Sequence, residues 1–346
     1  MDLSIAGILM LDGLTNGAIY ALLGLALVLV FAITRIIFLP QGEFVAHGAL
    51  TLAIFQTGQV PGTVWLLLAL AGVAALMELI AAWRAQRGIA VGLRVALRTL
   101  AVPVTVSAVS AWAATRGLPL AVQALLTVAI VTACGPLLYR VAYQSLAGAS
   151  TLVLLIVSVG VHFVMTGMGL LFFGAEGFRN PPFWDQRFAL GPLMLGGQAI
   201  IIFLASITLI LMLWLFFEHS LYGKALRATA VNRLGARLMG ISTQTAGQLS
   251  FAAAALIGAL SGLLIGPTTT VFYDSGFIIG LKGFVAAVIA GLSSYPAAAV
   301  GALAVGVIEA AGSFWASAFK EVIVFTLVLP VLLWRSLVSP HSDEEH

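Results

Sequence analysis

Four ionisable side chains lie within apolar runs of this 346-residue chain: Glu43, Glu78, Lys282 and Glu309. An intramembrane charge costs about 3 kcal/mol on insertion scales, so each is a candidate for proton transfer, ion binding or solute contact. Glu43 and His47 stand four residues apart and share one face of any helix that carries both. A metal or proton site can be written for them, but two donors do not close a metal site, and a hydrogen bond between the two is the leading reading. Glu78 and Glu309 fall near the ends of their runs, where a carboxylate reaches the interface at small cost. Lys282 is two turns into its run and is expected to pair with a carboxylate or with backbone carbonyls, with solute contact as the alternative. Ser158 and His162 also share a face, but a Gly-rich apolar run makes helix packing their expected role. The sequence has no nucleophile elbow, HExxH, paired aspartates at a fixed spacing or Walker motif. No catalytic residue and no metal site are therefore expected, the chain is not read as an enzyme, and ATP hydrolysis has to come from elsewhere.

A different kind of chemistry is written in 223–241, GKALRATAVNRLGARLMGI, a polar island with Lys224, Arg227, Arg233 and Arg237 and no acidic residue. Leu226, Ala230, Leu234 and Leu238 recur four apart, so on a helix they form a narrow apolar stripe beside the basic groups. The expectation is one short amphipathic helix, or two broken at Gly235. Such a loop either lies on anionic lipid and orients the protein, or docks a cytoplasmic partner through its stripe.

The elements that must carry these groups follow from composition. Residues are 61% hydrophobic and 8% charged, with a mean hydropathy of +1.11, whereas soluble domains carry about 25% charged residues. The expected fold is an all-α, polytopic transmembrane helical bundle, one permease-like domain over 1–346, with no sizeable soluble module. The lone Cys134 excludes an internal disulfide and a zinc cluster. The first apolar run has no basic n-region or cleavage site, so a cleaved signal peptide is not expected. With about 20 apolar residues per span, eleven spans are expected: 14–33, 36–55, 63–83, 99–115, 119–139, 150–172, 198–217, 245–265, 276–292, 297–313 and 320–337. Pro40, Gln41, Gly42, Glu43 and His47 crowd the second, which is expected to be broken. If 223–241 is cytoplasmic, eleven of the 16 basic residues fall on that side, which puts the N-terminus outside and the C-terminus inside. Residues 84–139 read as an inserted amphipathic surface helix plus a hairpin, 174–197 as an ordered external cap, 218–243 as a cytoplasmic coupling loop, and 339–346 as a disordered tail. Gly258 and Gly262 are spaced for direct backbone contact between helices.

Four segments bear a family resemblance: 13–44 (GLTNGAIYALLGLALVLVFAITRIIFLPQGEF), 139–163 (YRVAYQSLAGASTLVLLIVSVGVHF), 223–241, and 281–310 (LKGFVAAVIAGLSSYPAAAVGALAVGVIEA). Together they resemble the membrane subunits of branched-chain amino acid ABC importers, a permease family that includes urea and short-chain amide members. Family members usually have Asn-Phe-Ala-His-Gly-Glu where this chain has Phe38-Leu39-Pro40-Gln41-Gly42-Glu43, and an acidic or Asn-Pro pair near Asn232-Arg233-Leu234-Gly235. The resemblance implies a multi-pass plasma (inner) membrane subunit without cofactor of its own. It would work with a second permease subunit, two cytoplasmic ATP-binding subunits that hold the ATP and Mg, and an external or periplasmic solute-binding protein. Membrane lipid is the remaining partner, and nucleic acid is not one. Lys224, Leu226, Arg227, Ala230, Arg233, Leu234, Arg237 and Leu238 would then form the ATPase-coupling surface. Helix ends near Gly42 and at Gly266 and Pro267 would offer backbone dipoles to a small zwitterion, with Glu43, His47 and Lys282 as the ionisable groups beside its path. The rival class is a self-sufficient channel or secondary transporter for urea, amides or amino acids, with Glu43 as its coupling-ion site. A structural membrane scaffold explains the hydropathy but not the four segments.

Overall fold

The computed structural model describes residues 3–86, 89–190, 193–292, 294–327, 329–331 and 333. In chain order its helices are α1 (Leu3–Thr34), α2 (Gln41–Gln56), α3 (Thr63–Arg84), α4 (Ile89–Ala114), α5 (Leu120–Leu138), α6 (Thr151–Phe173), α7 (Gly197–His219), α8 (Leu221–Val231), α9 (Arg233–Leu238), α10 (Thr243–Ile265), α11 (Ser275–Ile289), α12 (Tyr295–Trp315) and α13 (Lys320–Thr326). A π-helical turn, Tyr139–Tyr143, extends α5. Among the described residues eight helices are long and apolar enough to cross a membrane, namely α1, α3, α4, α5 with its extension, α6, α7, α10 and α12. The protein is a multi-pass membrane protein built as a helical bundle.

Burial sorts these helices into inner and outer ones. The most apolar window of α1 is 89% buried, against 17% for that of α7. Inside a bilayer, lipid tails are as apolar as leucine, so helices associate by close packing more than by a hydrophobic drive. Small residues on α1 and α12 make that possible: a Cβ on Gly13 would stand 2.6 Å from the Val307 Cα, and one on Gly17 2.8 Å from the Leu303 Cα.

Helix α1 stops at Thr34, whose hydroxyl donates back to the Val30 carbonyl at 2.7 Å, and Arg35 takes a positive φ of 60°. Residues 35–38 are non-helical, Leu39 and Pro40 form a turn, and α2 begins only at Gln41. The run expected to be helical from 36 therefore loses its first turn, because Pro40 has no N–H to give and disfavours a helix through the residue before it. Irregular backbone at this depth survives only inside protein. Ile36 and Phe38 are fully buried, and Phe38 packs against Phe44, Tyr143 and Phe251.

Of the 16 residues of α2, 14 are buried, which makes this short helix the axis of the bundle. Its length of about 24 Å, at about 1.5 Å per residue, falls short of a full crossing. Glycines bring α10 and α11 onto it: Gly42 lies against Gly276 and Gly280, and Gly262 against Val45 and Ala49. Gly258 faces the Phe44 Cβ, so both members of the Gly258/Gly262 pair make the close approach that their spacing predicts. Gln41 Nε2 donates to the Ala254 carbonyl at 2.9 Å, and the Thr51 and Thr63 hydroxyls meet at 2.8 Å.

One expectation about the outer parts changes. The arginine-bearing stretch before residue 99 is not a separate surface helix: α4 runs without interruption from Ile89 to Ala114 and carries Arg94 and Arg98 on its first half. Ile89–Val102 holds no proline to break the helix, and α4 packs on α3 and, less extensively, on α5. The last expected span is represented by α13 and by residues 327, 329–331 and 333; the remainder of it and the tail 339–346 lie outside the described residues. Between α6 and α7, Arg187–Leu190 and Leu193–Gly196 pair as antiparallel strands, and Phe178 bridges to Val271.

Candidate functional site

The first turn of α2 places Glu43 with no exposed surface among α2, α6 and α11. Its Oε1 lies 3.0 Å from His162 Nδ1 on α6, and the Thr166 hydroxyl is 3.4 Å from that nitrogen. The Phe277 ring of α11 covers the imidazole at a centroid distance of 4.6 Å. The other carboxyl oxygen, Oε2, has no hydrogen-bond partner among the described residues and lies beside Gly276, where a Cβ would approach it to 2.9 Å. The expected side-chain bond between Glu43 and His47 does not form. His47 Nδ1 instead donates to the Glu43 backbone carbonyl at 2.8 Å, the acceptor one turn back on its own helix. That leaves the buried His47 Nε2 without a partner among the described residues, at the edge of Phe173. The arrangement is an acid and an imidazole able to share a proton, with one free acceptor atom beside them.

Lys282 is elsewhere. On α11 the glycines 276 and 280 face α2, whereas Lys282 points toward α1, α12 and α13. Its Nζ lies 2.5 Å from Glu309 Oε1 and 3.1 Å from Glu321 Oε1, and Tyr20 Oη donates to Glu309 Oε2 at 2.7 Å. Glu309 therefore does not reach for the interface as expected. It is 7% exposed and spends both oxygens inside the bundle, on Lys282 of α11 and Tyr20 of α1, while Glu321 of α13 meets the same lysine. Glu78 is likewise paired: Arg140 Nη1 lies 2.5 Å from its Oε1, and the Thr99 hydroxyl donates to its Oε2 at 2.8 Å.

The helix end at Gly266 and Pro267 is also occupied by the protein itself. The Asn180 N–H donates to the Gly266 carbonyl and Arg179 Nε to the Pro267 carbonyl, both at 3.1 Å, while Asn180 Nδ2 reaches the Ala49 carbonyl. These carbonyls hold the segment after α6 in place. Of the residues expected along one path, Gly42, Glu43 and His47 come together; Gly266, Pro267 and Lys282 do not join them.

The polar island folds as α8 and α9, and the N-termini of α8, α9 and the following α10 are each capped by a side chain. Ser220 Oγ accepts from the Gly223 N–H at 2.8 Å, Asn232 Oδ1 from the Gly235 N–H at 2.8 Å, and Ser242 Oγ from the Thr245 N–H at 3.3 Å. The break falls at Asn232 and not at Gly235, because Asn232 ends one helix and caps the next. This divides the expected stripe. Leu226 is 1% exposed, packed with Leu29, Ile33 and Ala246, and Ala230 rests on the same cluster. Leu234 and Leu238 are 69% and 80% exposed, next to the exposed Val231 and Met239. Leu226 is thus an anchor and offers no surface to another chain. Arg227 pairs with Glu218 at 2.7 Å, Arg233 donates to the Ala147 carbonyl at 3.1 Å, and Lys224 and Arg237 are exposed. Leu234, Arg233 and Arg237 border an open groove of about 790 Å³ that Gln144 and Gln244 also line.

His162, Thr166 and Phe277 belong to the Glu43 site, yet no local signal marked them; His162 stood only beside Ser158, which bonds instead to Tyr143 Oη at 3.0 Å.

Comparison with known proteins bears on the family of the chain. The family model for the permease component of the branched-chain amino acid transport system matches residues 9–333. Over 216 residues the chain is 31% identical to the high-affinity branched-chain amino acid transport system permease protein BraD of Pseudomonas aeruginosa, covering 60% of this chain and 70% of that one. It is 30% identical over 213 residues to the corresponding protein LivH of Escherichia coli K12, covering 60% and 69%. A solved chain of PsaBC from Streptococcus pneumoniae in complex with Fab overlays with a TM-score of 0.37 and 13% identity, over 95% of this chain and 91% of that one. With the family model spanning nearly its whole length, the chain belongs to the branched-chain amino acid transport system permease family.

Proposed function

We propose that this chain is the membrane-spanning subunit of an inner-membrane ABC importer that moves branched-chain amino acids or similar small zwitterionic solutes, powered by separate cytoplasmic ATPases. The observation that carries the reading is the α8–α9 loop: an apolar tip of Val231, Leu234, Leu238 and Met239, edged by Arg237, presented on a helix pair whose Leu226 is locked into the bundle. An exposed apolar cluster on a rigid support suits a groove on a partner, and the buried anchor passes a push on that tip into α1 and α10. A second permease subunit completes the pore and an external binding protein delivers solute. ATP and Mg stay on the ATPase. Glu43 Oε2, without a hydrogen-bond partner among the described residues and beside His162, suits the ammonium group of the solute.

Uptake of labelled leucine, urea and acetamide by liposomes holding the chain with and without its ATPase tests this reading. It expects ATP-dependent leucine uptake only in the complete assembly. Transport by the chain alone would favour a self-sufficient channel or secondary transporter, for which the Glu43–His162 pair is a ready proton site.

A further inference from the structure

The first half of α4, the C-terminal end of α5 and Gln248 of α10 enclose an open cleft of about 330 Å³ that no part of the transport reading uses. Arg98, Thr99 and Arg140 form its polar end, and Val102, Ala133 and Leu137 continue from there as an apolar wall. Two prolines, Pro103 on α4 and Pro136 on α5, face the cleft, one from each helix. Neither has the N–H that would bond the carbonyl four residues back in its own helix.

The two arginines are not equivalent. Arg140 is neutralised by Glu78 at 2.5 Å and held by Thr99 at 2.9 Å. Arg98 has an exposed side chain, and no carboxylate lies within 4.0 Å of its guanidinium among the described residues. The cleft therefore has one uncompensated cation at its polar end. Below it, Val102 is 61% exposed on a helix long and apolar enough to lie in a membrane. A guanidinium above an apolar channel between spanning helices matches a molecule with an anionic head and a hydrocarbon tail. A free inorganic anion would use the arginine and leave the wall idle.

We propose that this cleft is a binding site for an anionic phospholipid, with the phosphate on Arg98 and an acyl chain along Val102, Ala133 and Leu137. Arg140 shapes the floor through Glu78 and Thr99, and Gln248, whose Nε2 donates to Gln144 Oε1 at 3.2 Å, borders the cleft from α10.

The test is native mass spectrometry of the purified chain titrated with phosphatidylglycerol or phosphatidylcholine. The wild type is expected to bind the first lipid several-fold more tightly than the second. Arg98→Gln should remove that preference, and Ala133→Phe, which fills the channel while keeping the charge, should weaken both lipids about fivefold or more. Arg94→Gln, one turn earlier on α4 and outside the cleft, should leave the preference intact. The proposal fails if the wild type shows no preference, if Arg98→Gln keeps it, or if Arg94→Gln loses as much as Arg98→Gln, which would mean diffuse attraction only. Competition by millimolar inorganic phosphate would overturn the lipid assignment in favour of a simple anion site. None of these readouts depends on transport.

Discussion

The Glu43 carboxylate on α2 and the His162 imidazole on α6 meet at 3.0 Å inside the bundle, although 119 positions separate them in the chain. Each removes from the other part of the cost of a polar group at membrane depth, and a hydrogen bond is worth about 0.5–1.5 kcal/mol net, or about 1.5–3 kcal/mol where one partner is charged. Glu43→Gln and His162→Phe should each lower leucine uptake at least tenfold in the assembled transporter. In melting measurements a double-mutant cycle should return a coupling of about 1 kcal/mol or more. Strictly additive effects would mean that the two side chains do not act together.

Lys282 is a structural cation in this account. Lys282→Met leaves Glu309 and Glu321 without a counter-charge at a buried site, a loss of about 3–5 kcal/mol when one partner of a buried pair is removed. The variant should melt well below wild type, and adding Glu309→Gln should recover part of the loss. A Lys282→Met protein with unchanged melting and altered solute selectivity would place the lysine on the solute path instead.

Close packing gives a sharper contrast. Gly42→Ala drives a methyl into the Gly276 carbonyl and the Gly280 backbone, neither of which is a flexible side chain. Gly72 and Gly167 have nothing within 4 Å of an added Cβ. Gly42→Ala should cost most of the folded yield in the membrane, whereas Gly72→Ala and Gly167→Ala should be neutral or slightly stabilising through helix propensity. Size-exclusion profiles after detergent extraction would show the difference.

What the sequence made legible follows from the range of the forces involved. Apolar runs announced the long helices because spanning length is a local property, and the glycine spacing at 258 and 262 announced the contact with α2. The position of the break between α8 and α9 was also local, since Asn232 with Gly235 three residues on is an N-cap pattern; Gly235 drew attention away from it by being a glycine. The Glu43 partner was not legible, because only the packing of α6 on α2 decides whether His47 or His162 is reached. Glu309 misled for the same reason: its place near a helix end pointed to the interface, whereas the packing of α1 and α11 on α12 brings Tyr20 and Lys282 to its two oxygens. The stripe through Leu226 and Leu238 was real as a periodicity, but a single break in the helix sends its halves to opposite destinations.

That division is the heart of the account, and substitutions on its two sides measure it. Leu226→Asp buries a carboxylate among Leu29, Ile33 and Ala246 and should lower the folded yield of the chain itself. Leu234→Asp alters an exposed side chain and should leave melting within about 0.5 kcal/mol of wild type. The decisive measurement is ATP-driven leucine uptake by the Leu234→Asp protein assembled with its ATPase in liposomes: the account predicts uptake abolished in a chain that inserts and melts normally, and normal uptake by that variant would contradict it.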